Sequence, residues 1–491
     1  MDVHVRLSQR GELSDQIYRQ LCDAILDGRL RPGARLPPTR ELATRLAVSR
    51  NTVGIAYERL VAEGVALGRV GAGTFVTDEP LPRPAGPAPR APAGAVHPRE
   101  FWRALPLLPT IGRRTAAFDF NPGRPDVALF PLTAWRRLIA NEFRTLGAPY
   151  GTYGHPAGHA GLRAAIARHV GVSRAVRAVA DDVVVTQGAQ QAFDLIGRVL
   201  IAAGTCVAVE DPGYSRVRLL YQSLGARVVG VPVDDEGLVV DAIPARARIV
   251  YVTPSHQFPL GTTMSLRRRT ALLAWAERRG GVVVEDDYDT EFRFGGRPLD
   301  PLQSLDRAGR VVYVGSFSKV LLPTLRVGFL VAPASLQPAL HAAKQLTDWH
   351  GELATQAALA RFIDEGLLAR HIRAVTREYA SRYARIADVL ERRLSRWLRL
   401  VPSAAGMHVA ATVVPGAAVD IAQVVRKAEA RGVAVRALAD FHLATPVRDG
   451  LVLGYGGIAT ARIDEGLTLL AGAFAARTDA RVRQAGAGMK S

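Results

Sequence analysis

Lysine is rare in this chain, and one lysine is placed where an amine could react with a ligand. Lysine and arginine together number 63, yet the lysines are only Lys319, Lys344, Lys427 and Lys490. Lys319 follows the apolar run at 311–314, which predicts a buried strand. A lysine amine can lose its proton and condense with an aldehyde, whereas a guanidinium stays protonated. The pattern therefore favours a reactive amine at Lys319 over an ordinary surface lysine.

The residues around Lys319 are suited to holding a phosphate beside the amine. Ser316 precedes the lysine, and Arg326 follows it by seven residues. A second predicted strand runs into Thr-Gln-Gly-Ala-Gln at 186–190, where a helix begins. Backbone N–H groups at the N-terminus of a helix bind phosphate. Together these residues favour a phosphate-bearing aldehyde as the ligand.

Acidic and phenolic side chains follow a third predicted strand. Its end runs into Glu-Asp-Asp-Tyr-Asp at 285–289, which is more polar than an ordinary turn after a buried strand. Asp286 or Asp287 could pair with a protonated ring nitrogen, and Tyr288 could reach a phenolate-type oxygen. Each motif alone also fits a hydrogen-bonded loop at the edge of a sheet. In combination with Lys319 they predict one cofactor, pyridoxal 5′-phosphate (PLP).

Strands and helices alternate through the region that holds these motifs. The predicted strands are 182–185, 205–209, 226–233, 249–252, 281–285, 311–314 and 328–331. The predicted helices between them include 190–201, 214–224 and 266–279. This alternation predicts an α/β fold with a mainly parallel sheet, in which ligands bind at the carboxyl ends of the strands. The segment from 391 onward predicts a smaller α/β lobe.

A second, smaller pattern occupies the first 78 residues. Helices are predicted at 14–28, at 40–46 and directly after Ser49, with Ser14, Thr39 and Ser49 as their N-caps. The short separation of the second and third helices is typical of a helix-turn-helix.

The start of the third helix carries side chains that bind DNA. Arg50, Asn51 and Thr52 supply a guanidinium, an amide and a hydroxyl, which reach base edges and phosphates when a helix enters a major groove. Arg69 and the glycine turn that begins at Gly71 predict a two-stranded wing over the DNA backbone. A small helical interaction domain is the alternative, and the ordered set of elements disfavours it.

Composition limits the classes of protein that this chain could be. Two distant cysteines, Cys22 and Cys206, indicate neither a disulfide framework nor a metal site. The chain has no run of eighteen apolar residues and no signal-peptide core at its start, which predicts a cytoplasmic protein without a membrane span. The formal charge is +18, but residues 1–78 contribute only +2 from eleven arginines and nine acidic residues. DNA binding is therefore inferred from motif and not from bulk charge.

A proline-rich stretch separates the two patterns. Residues 79–98 hold seven prolines among alanine, glycine and arginine, which predicts an extended coil. The predicted organisation is a winged helix-turn-helix domain at 1–78, a linker at 79–117 and a ligand-binding domain at 118–491.

The N-terminal pattern resembles the winged-helix head of GntR-type bacterial transcription regulators. The residues that carry the resemblance are 36–43 (LPPTRELA), 48–53 (VSRNTV) and 69–76 (RVGAGTFV). The resemblance implies that Arg40, Arg50 and Thr52 contact operator DNA. It also implies that Gly71 lies at the tip of the wing.

From Phe118 onward the chain resembles fold-type I aminotransferases, which bind PLP and dimerise. The resemblance implies that Lys319 forms the internal aldimine, that Asp286 faces the pyridine nitrogen and that Tyr288 faces the ring hydroxyl oxygen. Asp286 is preferred to Asp287 because Tyr288 then falls two residues later, as in the regulators of this kind. The other residues implied to contact the cofactor are Gly188, Ala189, Gln190, Ser316 and Arg326 at the phosphate, Tyr214 stacked on the ring, and Tyr153 reaching the partner subunit's site.

The combination of head, linker and body resembles the MocR subfamily of transcription regulators, which the motifs 254–259 (PSHQFP) and 285–293 (EDDYDTEFR) support. At His256 and Gln257 the loop departs from the Asn-Pro-Thr-Gly form of true aminotransferases, so the side chain that touches the cofactor oxygen stays open. The resemblance implies a homodimeric regulator whose operator binding responds to PLP or an amino compound. The alternatives are an active aminotransferase, with Arg436 at the substrate carboxylate, and a dimerisation unit without cofactor.

Overall fold

The structure is a computed structural model that describes residues 5–8, 12–69, 71–78, 96–105, 116–144, 151–295, 300–403, 405–443 and 448–475. The chain divides into two compact units, Met1–Arg99 and Glu100–Ser491. Most of the predicted linker at 79–117 lies outside the described residues. In the described part of the chain, no helix is both long enough and apolar enough to span a membrane.

Three helices and a hairpin build the first unit. They are α1 (Leu13–Leu26), α2 (Thr39–Leu46), α3 (Arg50–Ala62), β1 (Ala66–Arg69) and β2 (Gly73–Val76). Apolar side chains at helical spacing, among them Ile17, Leu21 and Leu60, meet in one core. The strands β1 and β2 pair antiparallel, with Arg69 opposite Gly73. This order of elements is that of the predicted winged helix-turn-helix.

One of the three predicted N-caps is confirmed. Ser49 Oγ accepts a hydrogen bond from the backbone N–H of Thr52 at 3.0 Å, so α3 begins as predicted. Ser14 lies inside α1, whose N-cap is Glu12, and Thr39 is the first residue of α2. Neither of these helices has a side-chain cap. Those two predictions are wrong, because a hydroxyl near the start of a helix fits the first turn as well as the cap.

Strands and helices alternate in the second unit. Its helices are α4 (Glu100–Ala104), α5 (Leu132–Arg144), α6 (Ala160–Arg174), α7 (Ala189–Leu200), α8 (Ser215–Ser223), α9 (Leu266–Arg279), α10 (Leu302–Leu305), α11 (Gln337–Asp348), α12 (Leu353–Asp364), α13 (Leu367–Leu394), α14 (Ile421–Glu429) and α15 (Ile463–Ala475). Its strands are β3 (Phe118–Asp119), β4 (Val183–Thr186), β5 (Cys206–Asp211), β6 (Arg227–Asp234), β7 (Gly237–Leu238), β8 (Ile249–Val252), β9 (Val282–Asp287), β10 (Val311–Ser316), β11 (Gly328–Val331), β12 (Leu398–Leu400), β13 (His408–Val413), β14 (Val433–Ala434), β15 (Arg436–Ala437) and β16 (Gly450–Gly454).

The main sheet has eight strands in the order β4-β11-β10-β9-β8-β5-β6-β7. Neighbours from β10 through β9, β8 and β5 to β6 are parallel, whereas β11 is antiparallel to both of its neighbours. Residues of β8 and β10 are buried on both faces, as expected for parallel strands covered by helices. The predicted α/β fold with a mainly parallel sheet is confirmed. Because parallel strands end at one edge, the loops after β8, β9 and β10 come together.

The smaller lobe contains a four-stranded antiparallel sheet in the order β12-β13-β16-β15. Beside it, β3 pairs in parallel with β14, so Phe118 lies opposite Val433. The predicted start of the lobe at 391 falls inside α13, which continues to Leu394. That boundary is wrong, because the helical pattern before residue 391 runs on through the charged residues that follow it.

Candidate functional site

Lys319 lies on the loop that follows β10. Its Nζ donates a hydrogen bond to the carbonyl oxygen of Gly123 at 2.7 Å. Burial lowers the pKa of the Lys319 amine, although the carboxylates of Asp289 and Asp286 oppose the shift. A lowered pKa makes the neutral, nucleophilic amine more available at neutral pH.

Asp286 lies on β9, the strand next to β10, and only one of its two oxygens has a partner. Tyr251 on β8 donates a hydrogen bond to Oδ2 at 2.6 Å. The other oxygen, Oδ1, is buried and has no hydrogen-bond partner among the described residues. Burial raises the pKa of the Asp286 carboxyl to about 7, although the Tyr251 hydrogen bond opposes the shift. A buried carboxylate oxygen without a partner fits a protonated ring nitrogen.

Asp287, the alternative carboxylate, is engaged by the protein itself. Its Oδ2 lies 2.8 Å from Arg174 Nε and 2.7 Å from Tyr313 Oη. Its Oδ1 accepts a hydrogen bond from the hydroxyl of Thr290. Burial alone would raise the pKa of Asp287, but the charge of Arg174 and these hydrogen bonds lower it. The geometry thus leaves an oxygen of Asp286, and none of Asp287, available to a ligand, while the role of Asp286 at a ring nitrogen stays a prediction.

The residues predicted to hold a phosphate meet where β4 ends. Gly188 precedes α7 with a φ of +76°, and a Cβ placed on it would lie 3.0 Å from both Nη atoms of Arg326. Only glycine suits this position, because the left-handed backbone and the guanidinium leave no room for a side chain. The remaining predicted phosphate contacts are Ala189 and Gln190 in the first turn of α7 and Ser316 at the end of β10.

Tyr288 and Tyr214 approach the same region from two loops. Tyr288 Oη donates a hydrogen bond to the carbonyl oxygen of His256 at 2.9 Å. Tyr214 directly precedes α8, and burial raises its pKa to about 12, so its phenol is neutral. The rings of both tyrosines lie edge-on to Phe258, with centroids 5.9 Å and 6.0 Å away. The structure therefore brings these two predicted residues to one aromatic side chain.

Tyr153 has different surroundings. Its side chain is 74% exposed, and its ring centroid lies 4.5 Å from that of Trp349, which is 51% exposed. An exposed aromatic pair suits a protein interface. The role of Tyr153 in a partner subunit's site stays a prediction.

Two arginines differ in how far their charge is already neutralised. Arg436 Nε lies 2.9 Å from Asp440 Oδ2, and its guanidinium lies 5.8 Å from the ring centroid of Phe441. Arg216, the second residue of α8, has no hydrogen-bond or ion-pair partner among the described residues. Burial is the main cause that lowers the pKa of Lys319, and the carboxylates of Asp289 and Asp286 oppose it. The positive charge of Arg216 adds a further lowering of that pKa. The sequence analysis missed Arg216, although its position two residues after Tyr214 was a usable signal.

The loop after β8 contains the two side chains whose roles the sequence left open. Both polar atoms of the Gln257 side chain already bond to the protein backbone. Its Nε2 donates to the carbonyl oxygen of Pro212 at 2.9 Å, and its Oε1 accepts from Leu260 N–H at 3.0 Å. His256 Nδ1 instead lies 2.9 Å from Asp289 Oδ1. His256 is therefore linked to Asp289, whose carboxylate acts on the Lys319 amine.

These side chains fit PLP. Lys319 would hold the aldehyde carbon, Asp286 would accept from the ring nitrogen, and the start of α7 with Arg326 would bind the phosphate. When bound, PLP supplies an aldehyde that binds amines and a ring that accepts electron density. The unpartnered oxygen of Asp286 and the cradle at Gly188 are the two observations that support the fit.

Lys344, another of the rare lysines, has a structural role. It is fully buried on α11, and its Nζ lies 2.5 Å from Asp348 Oδ1. The second oxygen of Asp348 accepts a hydrogen bond from Gln191 Nε2 at 2.8 Å. Lys344 thus neutralises Asp348, which joins α11 to α7 through Gln191.

In the first unit, the N-terminal turn of α3 is exposed and polar. Arg50 and Asn51 are exposed, and Thr52 Oγ1 lies 2.8 Å from Ser49 Oγ. Arg40 on α2 is exposed as well. Among the described residues, neither Arg40 nor Arg50 forms an ion pair with a carboxylate. These cations are therefore available to an anionic partner.

The wing carries a further cation. Arg69 ends β1, and its guanidinium lies 5.0 Å from the ring centroid of Phe75 on β2. Gly71 lies in the turn between the two strands, with a φ of +73°. The hairpin thus presents an exposed arginine beside a tight turn, as predicted for contact with a DNA backbone.

Two family models match the chain in separate places. Residues 13–76 match the gntR family of bacterial regulatory proteins. Residues 118–450, more than half of the chain, match the aminotransferase class I and II family. The first match covers the winged unit, and the second covers the Lys319 site.

Relatives extend the likeness over nearly the whole chain. The probable rhizopine catabolism regulatory protein MocR of Rhizobium meliloti is 37% identical over 464 residues, which cover 94% of this chain and 93% of the relative. The pyridoxine biosynthesis transcriptional regulator PdxR of Corynebacterium glutamicum is 33% identical over 457 residues, with 93% and 94% covered. A crystal structure of the α-aminoadipate aminotransferase LysN from Thermus thermophilus, complexed with N-(5′-phosphopyridoxyl)-L-leucine, superposes with a TM-score of 0.67 at 32% identity and covers 72% of this chain and 91% of that one. The chain therefore belongs to the MocR-type family of PLP-dependent, DNA-binding transcription regulators, in which a GntR-type head and an aminotransferase class I and II domain share one polypeptide.

Proposed function

We propose that the chain is a cytoplasmic homodimer whose binding to operator DNA responds to the ligand held at Lys319. The observation that carries the proposal is the unpartnered, buried Oδ1 of Asp286 close to Lys319, in the same chain as an exposed DNA-binding turn. The proposed organisation keeps the domains 1–78 and 118–491 with a linker at 79–117. A linker of this composition would let the heads adopt different spacings on DNA.

Operator contacts in this proposal come from the first unit. Arg50 and Thr52 on α3 would reach base edges and phosphates in the major groove, and Arg40 would contact the backbone. Arg69, beside the turn at Gly71, would lie against the DNA backbone. Support comes from the exposure of the three arginines and their lack of carboxylate partners among the described residues.

The effector in this proposal is PLP, or an amino compound that carries a carboxylate. A guanidinium binds a carboxylate well, and a half-buried one without a partner is poised to do so. We place Arg216 in the role that the sequence suggested for Arg436, because Arg436 would first have to release Asp440. Arg216 is also close enough to Lys319 to influence its amine.

Operator binding titrated with PLP alone, and then with PLP plus candidate amines, tests the proposal. We expect amino acids to change the operator affinity and the corresponding amines without a carboxylate to do so weakly. Arg216→Met should abolish that difference, whereas Arg436→Met should leave it in place. An operator affinity that is the same with and without PLP and every tested amino compound would contradict the regulatory function.

An active aminotransferase is the second candidate, because the chain keeps the lysine, the buried aspartate and the phosphate cradle that such an enzyme would need. Steady-state and single-turnover transamination with a panel of amino donors separates the two functions. Fast, donor-specific turnover would favour the enzyme. Slow or absent turnover together with ligand-dependent operator binding would favour the regulator.

A further inference from the structure

A buried carboxylate, a buried imidazole and a half-buried phenol form a chain of hydrogen-bonding groups beside Lys319. Asp289 Oδ1 lies 2.9 Å from His256 Nδ1, and the same nitrogen lies 3.1 Å from Tyr288 Oη. The side chains of His256 and Asp289 are 1% and 0% exposed. Because water does not reach these two side chains, their polar atoms form hydrogen bonds with one another and with neighbouring protein groups.

The chemistry of these groups sets the direction of the hydrogen bonds. A carboxylate oxygen accepts hydrogen bonds, so we expect Nδ1 of His256 to be the nitrogen that donates to Asp289. The same N–H points toward Tyr288 Oη, which can therefore act as an acceptor on that side. The phenolic proton is then directed elsewhere: it points to the carbonyl oxygen of His256, 2.9 Å away, or to a ligand oxygen.

The backbone at Gly406 and Met407 packs closely against His256 and Asp289. Gly406 has a φ of +85°, and a Cβ there would lie 2.0 Å from His256 Cε1 and 2.7 Å from Asp289 Oδ2. Met407 N–H donates to Asp289 Oδ2 at 3.2 Å. On the far side the ring of His408 lies 4.7 Å from that of His256. The imidazole is therefore fixed in orientation by packing and not only by its hydrogen bonds.

We propose that His256 and Asp289 are positioning residues for Tyr288, which hold its phenol so that the proton is donated to the phenolate-type oxygen of the cofactor. The proposal rests on PLP binding at Lys319 and answers which side chain of the 256–257 loop serves that oxygen: His256 does so through Tyr288. The titratable groups that face the trio are Asp286 from β9, Glu210 from β5, His408 from β13, Tyr455 after β16 and Lys319 after β10.

The test uses the full chain loaded with PLP. We expect the His256→Phe variant, which keeps a ring but loses the N–H, to raise by about one unit the pH at which the visible absorbance of the bound cofactor is half changed. The sign follows because a weaker donor to the phenolate-type oxygen disfavours the deprotonated form. In a Tyr288→Phe background the same substitution should cause no further shift. The matched control is His442→Asn, in a histidine–aspartate pair that does not involve Asp289 (His442 Nδ1 lies 3.1 Å from Asp211 Oδ1), which should leave the midpoint unchanged.

Each result decides the proposal. An unchanged midpoint in His256→Phe overturns it, and so does a shift that persists in the Tyr288→Phe background. A wild-type protein that takes up no PLP overturns the proposed function as well, so the two failures are distinguishable. A metal ion shared by His256, Asp289 and His408, whose donor atoms lie within 4.8 Å of one another, is the competing explanation, and a shift produced by a chelator alone would favour it.

A measurement on unmodified side chains guards against variants that do not fold. Nitrogen-15 NMR of the histidines, of which the chain has 11, reports which ring nitrogen carries the proton. We expect His256 to be the Nδ1–H tautomer, and we expect that preference to weaken in Asp289→Asn. A His256 protonated on Nε2 in the wild type would overturn the proposal.

Discussion

The exposed N-terminal turn of α3 and the Lys319 site use charged side chains in opposite ways. Arg40, Arg50 and Arg69 are exposed, and the helices and hairpin that carry them lie within one short stretch of chain. Around Lys319 the charges are buried, and Asp286 keeps an oxygen without a partner among the described residues. The exposed cations are solvated, so they cost the unbound protein little free energy. The buried carboxylate destabilises the protein as long as no ligand is bound to it.

Because of this difference, the two sites affect the folding stability of the protein differently. Exposed cations contribute little to folding, so the head can devote them to DNA without a penalty. A buried carboxyl whose pKa is raised lowers the stability of the ligand-free protein and recovers that free energy on binding. The comparison predicts that substitutions of these exposed arginines change DNA binding alone, while substitutions at the ligand site change stability and binding together.

The largest expected effect is at Lys319. Lys319→Ala should abolish the visible absorbance of bound PLP, because no other lysine of the described residues lies in the site. The operator affinity of the PLP-free protein should not change, since the head is untouched. Absorbance spectroscopy and DNA binding measured on one preparation check both statements, and Lys427→Ala serves as the control that keeps the absorbance. Retention of the full absorbance in Lys319→Ala would contradict the assignment.

Opposite effects are expected at the two neighbouring aspartates. Asp287→Asn should destabilise the PLP-free protein by roughly 3–5 kcal/mol, because it leaves the buried charge of Arg174 unpaired. Asp286→Asn should stabilise it by roughly 1–4 kcal/mol above pH 7 while weakening PLP binding. Chemical denaturation without PLP, followed by PLP titration, measures both. Destabilisation of similar size in the two variants would break the comparison.

The sign of the pH dependence follows from the two pKa shifts. Burial raises the pKa of Asp286 to about 7, so the folded protein keeps a proton that the unfolded chain releases near pH 4. The free energy of unfolding of the wild type should therefore decrease as the pH rises from about 4 to about 7. Asp286→Asn should remove the part of this decrease that Asp286 causes. The lowered pKa of Asp287 acts the other way, and its contribution is lost as the pH falls.

A smaller effect is expected in the head. Arg50→Ala should weaken operator binding by about 1–3 kcal/mol, roughly 5- to 150-fold, without changing the PLP absorbance or the stability. Arg29→Ala is the matched control, because Arg29 already pairs with Asp27 at 2.8 Å. Titrations of labelled operator at fixed salt measure the difference. Equal losses in both variants would indicate a general charge effect instead of a specific contact.

The smallest effect is expected at the cap of α3. Ser49→Ala removes the hydrogen bond to Thr52 N–H and should cost about 1 kcal/mol, which makes amide exchange in α3 roughly fivefold faster. Ser14→Ala should change exchange in α1 much less, because Ser14 lies inside that helix and does not cap it. Hydrogen exchange of the full chain compares the two helices directly. A larger effect at Ser14 would contradict the assigned caps.

Local patterns in the sequence were enough to predict much of the fold. Apolar runs located β8 and β11 to the residue, because strands buried on both faces are short and continuous. Residue type alone did not distinguish Ser49, a true cap, from Ser14 and Thr39. The three helices α11, α12 and α13 were not separately predicted, and the lobe boundary was drawn through the last of them.

The candidate site was predictable only where its residues sit in motifs. The motif around Asp286 offered two carboxylates, and the contacts that distinguish them come from far along the chain. Tyr251 and Asp286 are 35 residues apart, and Arg174 and Asp287 are 113 apart. Such pairings depend on the order of strands in the sheet, which the spacing of motifs does not encode. Arg216 was missed for a related reason, because its importance lies in having no partner.

The pairing of β3 with β14 gives the predicted linker a defined point of attachment. Phe118 and Asp119 lie beside Val433 and Ala434 at the smaller lobe, outside the eight-stranded sheet. The polypeptide that leads back toward the head therefore starts from the lobe and not from the sheet that carries Lys319. Phe118 N–H and Phe120 N–H donate to the carbonyl oxygens of Gly432 and Ala434, both at 2.9 Å, so any displacement of β14 would carry the end of the predicted linker with it.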